Sequence, residues 1–75
     1  MSIRPIHYRI LVKVFQKVGW VYKRTKGDHM IFTKKGCMRP LVIPKYKAIP
    51  VFIIRNNLRT AKITNEEYMK KLQEV

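Results

Sequence analysis

Acidic residues are scarce in this chain of 75 residues: four Asp and Glu stand against 17 Lys and Arg, which gives a net charge of +13. Glu66, Glu67 and Glu74 lie among the last ten residues, so Asp28 is the only carboxylate before them. A surface of one charge repels itself, and binding to a polyanion offsets that repulsion. The composition therefore predicts a polyanionic partner, either a nucleic acid or an anionic membrane.

Long apolar runs are also missing. The most apolar stretch, residues 6–18, is interrupted by Arg9, Lys13 and Lys17 and is too short to span a bilayer. It has neither the apolar core nor the cleavage site of a signal peptide. We therefore expect a cytoplasmic protein without a targeting segment, whose partner is a nucleic acid rather than a membrane.

Potential metal ligands are few. One cysteine, Cys37, and two separated histidines, His7 and His29, do not form the ligand set of a zinc site. Cys37 has no partner for an intramolecular disulfide and is expected to be an exposed, unreactive thiol. A chain this short forms one small domain, residues 1–75, with little room for an enclosed cofactor pocket. We expect neither a metal nor a cofactor.

The first secondary-structure signal is helical. From Ile6 to Val18, apolar residues recur at the three- and four-residue spacing of an amphipathic helix. Pro5 suits the first turn of this helix and Gly19 its C-terminal end. Such an apolar stripe usually packs on a core, and the strands that follow require a cover.

Three β-rich runs come next, at residues 20–26, 29–34 and 39–43. Turn signals at residues 27–28 and 35–37 separate them, so the runs predict a three-stranded antiparallel meander. Trp20, at the start of the first run, is expected in the core.

The last third of the chain returns to helical patterns. A second helix is predicted from Pro50, and Thr64 with Glu67 forms a capping-box signature for a short helix that reaches Leu72. This acidic last helix can either solubilise the protein or dock on its basic body. The fold class is thus α+β: a helix–three-stranded antiparallel sheet–helix sandwich (α-β-β-β-α) with a short C-terminal helix, the arrangement of double-stranded-RNA-binding folds (dsRBD-like).

His29 is the candidate catalytic residue. It follows Gly27-Asp28 at the mouth of a predicted hairpin, with lysines and arginines on both sides. An imidazole can accept or donate a proton near neutral pH, which RNA cleavage requires, and neighbouring cations can stabilise charge on the phosphate. A surface histidine among lysines more often contacts a phosphate, so the residues alone leave both roles open.

The predicted RNA contacts share a positive charge or a phenol close to this hairpin in sequence. They are Arg24, Lys26, Lys34, Lys35, Arg39, Lys45, Tyr46 and Lys47. Tyr8, Tyr22 and Trp20 are candidates for stacking on bases, although the core is the favoured place for Trp20. His7 is expected near the packing face of the first helix, in a structural role.

Four further motifs follow one another along the chain. They are Val18-Gly19-Trp20, the run Arg24-Thr25-Lys26-Gly27-Asp28-His29-Met30-Ile31-Phe32, the segment Val42-Ile43-Pro44-Lys45-Tyr46, and the closing Leu58-Arg59-Thr60-Ala61-Lys62-Ile63-Thr64-Asn65-Glu66-Glu67-Tyr68. Together these motifs resemble the HicA (YcfA-like) family of mRNA interferase toxins. They occur in the order of the family and cover nearly the whole chain. The resemblance implies a dsRBD-like fold, His29 as the catalytic residue, mRNA as substrate, and a HicB-type antitoxin that covers the active face.

The chain departs from the family pattern at three positions. Asp28 replaces the commoner Ser and, because neighbouring strand residues point to opposite faces, is expected to orient the turn rather than His29. Tyr46 stands where a second histidine is frequent, so a two-histidine mechanism does not transfer, although a phenol can still bind a phosphate. Lys62 replaces a helix-ending Gly and is interpreted as a packing variation.

The sequence therefore predicts a metal-independent endoribonuclease toxin. One alternative is an RNA-binding module of the same fold without catalysis. Another is a DNA-binding or interaction protein in which the meander enters a groove and the helices dimerise.

Overall fold

A computed structural model describes residues 2–75 of the chain. In chain order the elements are α1 (Tyr8–Lys17), β1 (Val21–Lys26), β2 (His29–Thr33), β3 (Leu41–Pro44), α2 (Val51–Ala61) and α3 (Asn65–Leu72). The three strands form one antiparallel sheet in the order β1-β2-β3, so β2 lies in the centre. The predicted α+β class and order of elements are confirmed.

The helices cover one face of the sheet. Both α1 and α2 contact β3, and α3 packs on α1. Side chains alternate along a strand, and Phe32, Leu41 and Ile43 point into the helix layer, where they are fully buried. Trp20 joins the same core, as predicted. The opposite face of the sheet carries exposed side chains; we call it the open face.

The first helix begins later than predicted. The apolar pattern and Pro5 placed its start before His7, but α1 begins at Tyr8. Ile6 instead forms an antiparallel bridge with Ile49, whose N–H donates to the Ile6 carbonyl at 2.8 Å. His7 is the N-cap: its Nδ1 accepts a hydrogen bond from the Arg9 N–H at 3.1 Å. The expectation that His7 lies on the helix near its packing face is therefore wrong, although capping is a structural role.

The last helix is held by polar contacts at both ends. The Thr64 hydroxyl accepts from the Glu67 N–H, and the Glu67 carboxylate accepts from the Thr64 N–H, which is the predicted capping box. These bonds to its charged form lower the pKa of Glu67. At the other end, Glu74 lies 3.6 Å from Lys17 of α1 and 3.7 Å from Lys71. Of the two roles considered for the acidic end, docking on the basic body is the one observed.

The Tyr68 hydroxyl is a buried polar group in the hydrophobic core. The side chain is fully buried, and its hydroxyl has no hydrogen-bond partner within residues 2–75. Burial raises the pKa of Tyr68 to about 12, because the charged phenolate is poorly solvated there. The unpartnered hydroxyl should therefore reduce stability, and increasingly so in alkali.

Replacing Tyr68 by Phe should raise the free energy of unfolding by about 1 kcal/mol at pH 7, since the variant buries no unpartnered hydroxyl. Above pH 10 the unfolded tyrosine ionises while the folded one stays protonated, so the wild type should lose roughly 2–3 kcal/mol more than the variant by pH 12. Urea unfolding of both proteins at pH 7 and between pH 10 and 12 measures the two differences. A constant difference across that alkaline range would contradict the buried position of the hydroxyl.

Candidate active site and nucleic-acid interface

His29 is the first residue of the central strand, and its backbone is flanked on both sides. It lies opposite Lys26 of β1 and Pro44 of β3. Directly opposed residues project from the same face of a sheet, so the Lys26 side chain shares the open face with His29. The imidazole side chain is 49% exposed. His29 thus has a backbone fixed by two neighbouring strands and a ring that a ligand can reach.

A β-bulge at Lys23 determines which cations share this face. Tyr22 pairs with Phe32, but the register then shifts so that Arg24 pairs with Ile31. The Tyr22 ring lies against the Phe32 ring, at 5.8 Å between centroids. Without the extra residue, regular alternation would place residues 22 and 24 on one face. The bulge therefore directs Arg24, and Lys26 after it, to the open face with His29.

The open face also carries apolar side chains. Val42 lies opposite Ile31 and is 38% exposed, and Val21 is 63% exposed. Val42 lies across Ile31 from Arg24, whereas Val21 pairs with Thr33 at the other end of β2. The open face thus combines an imidazole, two cations and exposed aliphatic surface.

Asp28 contacts the imidazole directly. Its Oδ1 lies 2.9 Å from Nδ1 of His29. The expectation that Asp28 orients the turn rather than His29 is wrong, because Asp28 lies in the turn, outside the strand, where side-chain alternation does not hold. A carboxylate at Nδ1 favours the tautomer with its proton on that nitrogen. Nε2 is then the nitrogen that can accept a proton from a substrate.

The loop after β3 is joined to this turn through the backbone. The Lys45 N–H donates to the Asp28 carbonyl at 2.8 Å, and the Tyr46 carbonyl accepts from the Tyr8 N–H at 3.0 Å. These two bonds bring together the hairpin turn, the 45–46 loop and the start of α1; we call this arrangement the backbone clasp. Lys45, Tyr46 and Lys47 are all exposed beside it. The structure therefore brings these three predicted residues near the His29 turn.

A shallow groove between α1 and the sheet adds residues that were not predicted. It has a volume of about 370 Å³, and its lining includes Tyr8, Arg9, Lys13, Met30 and Lys45. Tyr8 was predicted as a stacking residue, whereas Arg9 and Lys13 were identified only as breaks in an apolar run. Their four-residue spacing on a helix was the signal available.

Lys34, Lys35 and Arg39 are not brought to His29. They follow the other end of β2, and four residue steps at about 3.3 Å put that end about 13 Å from His29. The Lys34 side chain lies over Gly19, where an added Cβ would meet its Cε at 3.2 Å. The predicted RNA contacts therefore separate into a group around His29 and a group at the far end of the sheet.

Comparison with known proteins gives two results. Curated proteins provide no match to this chain. A family model described as the HicA toxin of bacterial toxin–antitoxin systems matches residues 8–63. The matched region runs from the first residue of α1 to just past α2 and contains the whole sheet.

The helices provide one further finding. Within residues 2–75, none has the length and apolar character needed to cross a membrane.

The family match covers the hairpin with His29, the 45–46 loop and the sheet that joins them. The resemblance found in the sequence motifs is confirmed: the chain belongs to the HicA toxin family of bacterial toxin–antitoxin systems.

Proposed function

We propose that this toxin is a metal-independent endoribonuclease that cleaves mRNA in the cytoplasm, with His29 as its catalytic residue. The observation that carries the proposal is the placement of His29: half exposed on the open face, with the Asp28 carboxylate 2.9 Å from Nδ1. This arrangement leaves Nε2 of the imidazole available to accept a proton from a ligand. Family membership supports the toxin role, and the geometry supports the nuclease role.

The proposed step is attack by the ribose 2′-hydroxyl on the adjacent phosphate. Nε2 of His29 accepts the 2′-hydroxyl proton, the 2′-oxygen forms a bond to phosphorus, and the bond from phosphorus to the 5′-oxygen breaks. The leaving 5′-oxygen takes a proton from the imidazolium or from water. The products are a 2′,3′-cyclic phosphate and a 5′-hydroxyl. Asp28 acts as a positioning residue that stabilises the imidazolium and fixes its ring.

Cations around His29 would bind the phosphate and stabilise its growing negative charge. Arg24 and Lys26 share the open face with His29, and Lys45 adjoins the Asp28 turn through its backbone. Donors placed before the reaction stabilise charge without reorganisation. Tyr46 and Lys47, exposed in the same loop, supply further backbone contacts to the RNA strand.

The exposed aliphatic side chains suggest how the toxin is silenced. Val42, near His29, and Val21, at the far end of the same face, both remain accessible on the open face. A HicB-type antitoxin that presents apolar and acidic side chains would cover them and block His29 at the same time. The catalytic face and the antitoxin-binding face would then be the same surface.

Product chemistry tests the proposed step. Purified protein incubated with end-labelled RNA and excess chelator should give fragments with 5′-hydroxyl and 2′,3′-cyclic phosphate ends, because the proposed nucleophile belongs to the RNA itself. The new 5′ ends should accept phosphate from a polynucleotide kinase without phosphatase treatment. Replacing the ribose at the cut position by deoxyribose should stop cleavage. Fragments with 5′-phosphate ends, or cleavage that the chelator abolishes, would contradict the mechanism.

The same assay distinguishes the alternatives. A binding module would leave the RNA intact while shifting its mobility in a salt-dependent way. A DNA-binding protein would prefer duplex DNA to RNA in the same gel. In each case the positively charged open face would bind a backbone, and His29 would contribute at most one contact.

A further inference from the structure

A concave surface that carries several cations lies away from His29. It is a cleft of about 520 Å³ between the loop that joins β2 to β3 and the C-terminal end of α2. Its lining includes Cys37, Met38 and Arg39 from the loop, and Asn56, Arg59 and Lys62 from α2 and its C-cap. Because it adjoins the end of β2 opposite to His29, it is separate from the site described above.

The charges of this cleft have one sign. Arg39, Arg59 and Lys62 line it and are all exposed, and none of the residues that line it is acidic. The Arg59 Nη1 donates to the Asn56 side-chain oxygen at 3.2 Å, which orients the guanidinium and leaves its other N–H groups free for a ligand. Arginine presents such donors in the planar geometry that matches a phosphate.

Lys62 adopts a backbone conformation that usually requires glycine. As the C-cap of α2 it has φ 57° and ψ 42°, in the left-handed region. Within residues 2–75 every other residue with positive φ is a glycine: Gly19, Gly27 and Gly36. A lysine in this conformation is strained, because its Cβ crowds the backbone. Strain of this kind is typical of positions that serve a ligand, and here the residue lines the cleft.

We propose that this cleft binds a phosphate of the RNA strand, as a second site that retains a side chain at position 62 despite the strain. The proposal rests on the proposed RNA substrate and extends it. The interpretation of Lys62 as a packing variation is replaced, because Lys62 lines a cleft with two arginines. The fully exposed Met38 beside them provides a polarizable surface for a base.

The length of β2 determines the distance between this second site and His29. The far end of β2 is about 13 Å from His29, and a strand advances about 3.4 Å per nucleotide when stacked. A stacked RNA bound at both places therefore spans about four nucleotides. A dinucleotide at His29 should not reach the cleft even when extended, whereas a 12-nucleotide RNA should occupy both.

The test uses Lys62→Gly, which should weaken RNA binding but stabilise the fold. RNA affinities are measured by fluorescence anisotropy in proteins that also carry His29→Ala, so that no cleavage intervenes. Removing one phosphate contact should weaken binding of the 12-nucleotide RNA about fourfold at 0.15 M salt and reduce the log–log salt slope by about 0.7. Dinucleotide binding should stay the same. The melting temperature should rise by about 4 °C, because glycine relieves the strain.

Lys70→Ala is the matched control. It also removes one positive charge, but Lys70 is exposed on α3 and does not line the cleft. It should leave the 12-nucleotide affinity close to the parent value. Unchanged binding in Lys62→Gly, or an equal loss in Lys70→Ala, would overturn the proposal. So would a loss seen only with poly-glutamate, which would assign the cleft to an acidic protein. If the wild type does not cleave RNA, the proposed nuclease activity is contradicted. The RNA affinities can still be measured, so they test the cleft independently.

Discussion

Replacing His29 by alanine should slow RNA cleavage by about 10²- to 10⁴-fold, the usual effect of removing one acid–base group. The reason is local: Nε2 of His29 is the proposed acceptor of the 2′-hydroxyl proton, and the neighbouring cations can bind the phosphate but cannot accept that proton. Initial rates on a labelled RNA, measured with a chelator present, give the ratio. RNA affinity should change far less, because Arg24, Lys26 and Lys45 remain.

The other histidine provides the control. His7→Asn removes the second imidazole of the chain but keeps a good N-cap for α1, so cleavage should stay within a few-fold of wild type. Melting curves of both variants should resemble that of the wild type, since the His29 ring is half exposed. Equal cleavage by wild type and His29→Ala would end the proposal that this imidazole is catalytic.

Replacing Phe32 by alanine should lower the free energy of unfolding by about 3–5 kcal/mol. Phe32 is fully buried on the central strand, opposite Leu41 on one side and Tyr22 on the other. A chain of 75 residues has a total stability of about 4–11 kcal/mol, so this loss is a large share of the total. Urea denaturation followed by circular dichroism measures the loss.

Ile31→Ala tests the assignment of the two faces. Ile31 precedes Phe32 on the same strand but points to the open face and is only partly buried. Its truncation should cost roughly 1–2 kcal/mol, because part of the side chain is already hydrated. Equal losses in the two variants would mean that both faces of the sheet are covered.

The order and type of the elements followed from local signals. Helical spacing, Gly27-Asp28 and the Thr64–Glu67 capping box each act over a few residues, so the sequence displays them directly. The start of α1 was wrong for a long-range reason. Ile6 fits the helical stripe, but it pairs with Ile49, more than forty positions away. No local pattern reports such a partner.

The candidate site was predictable in the same local sense. The exposure of His29 followed from its place after a turn, but its contact with Asp28 did not, because a turn residue need not alternate with the strand. Lys34 and Lys35 are close to His29 in sequence, yet the strand carries them to the far end of the sheet. The bulge at Lys23 was equally hidden, since a one-residue shift in register depends on the partner strand.

The backbone clasp has a consequence for how this toxin can change over evolution. The bonds from Lys45 to Asp28 and from Tyr8 to Tyr46 use only main-chain atoms. Side chains at positions 8, 45 and 46 can therefore be exchanged without displacing the histidine-bearing turn, and a tyrosine can occupy a position that holds histidine in relatives. Proline is the exception at positions 8 and 45, because it has no N–H to donate.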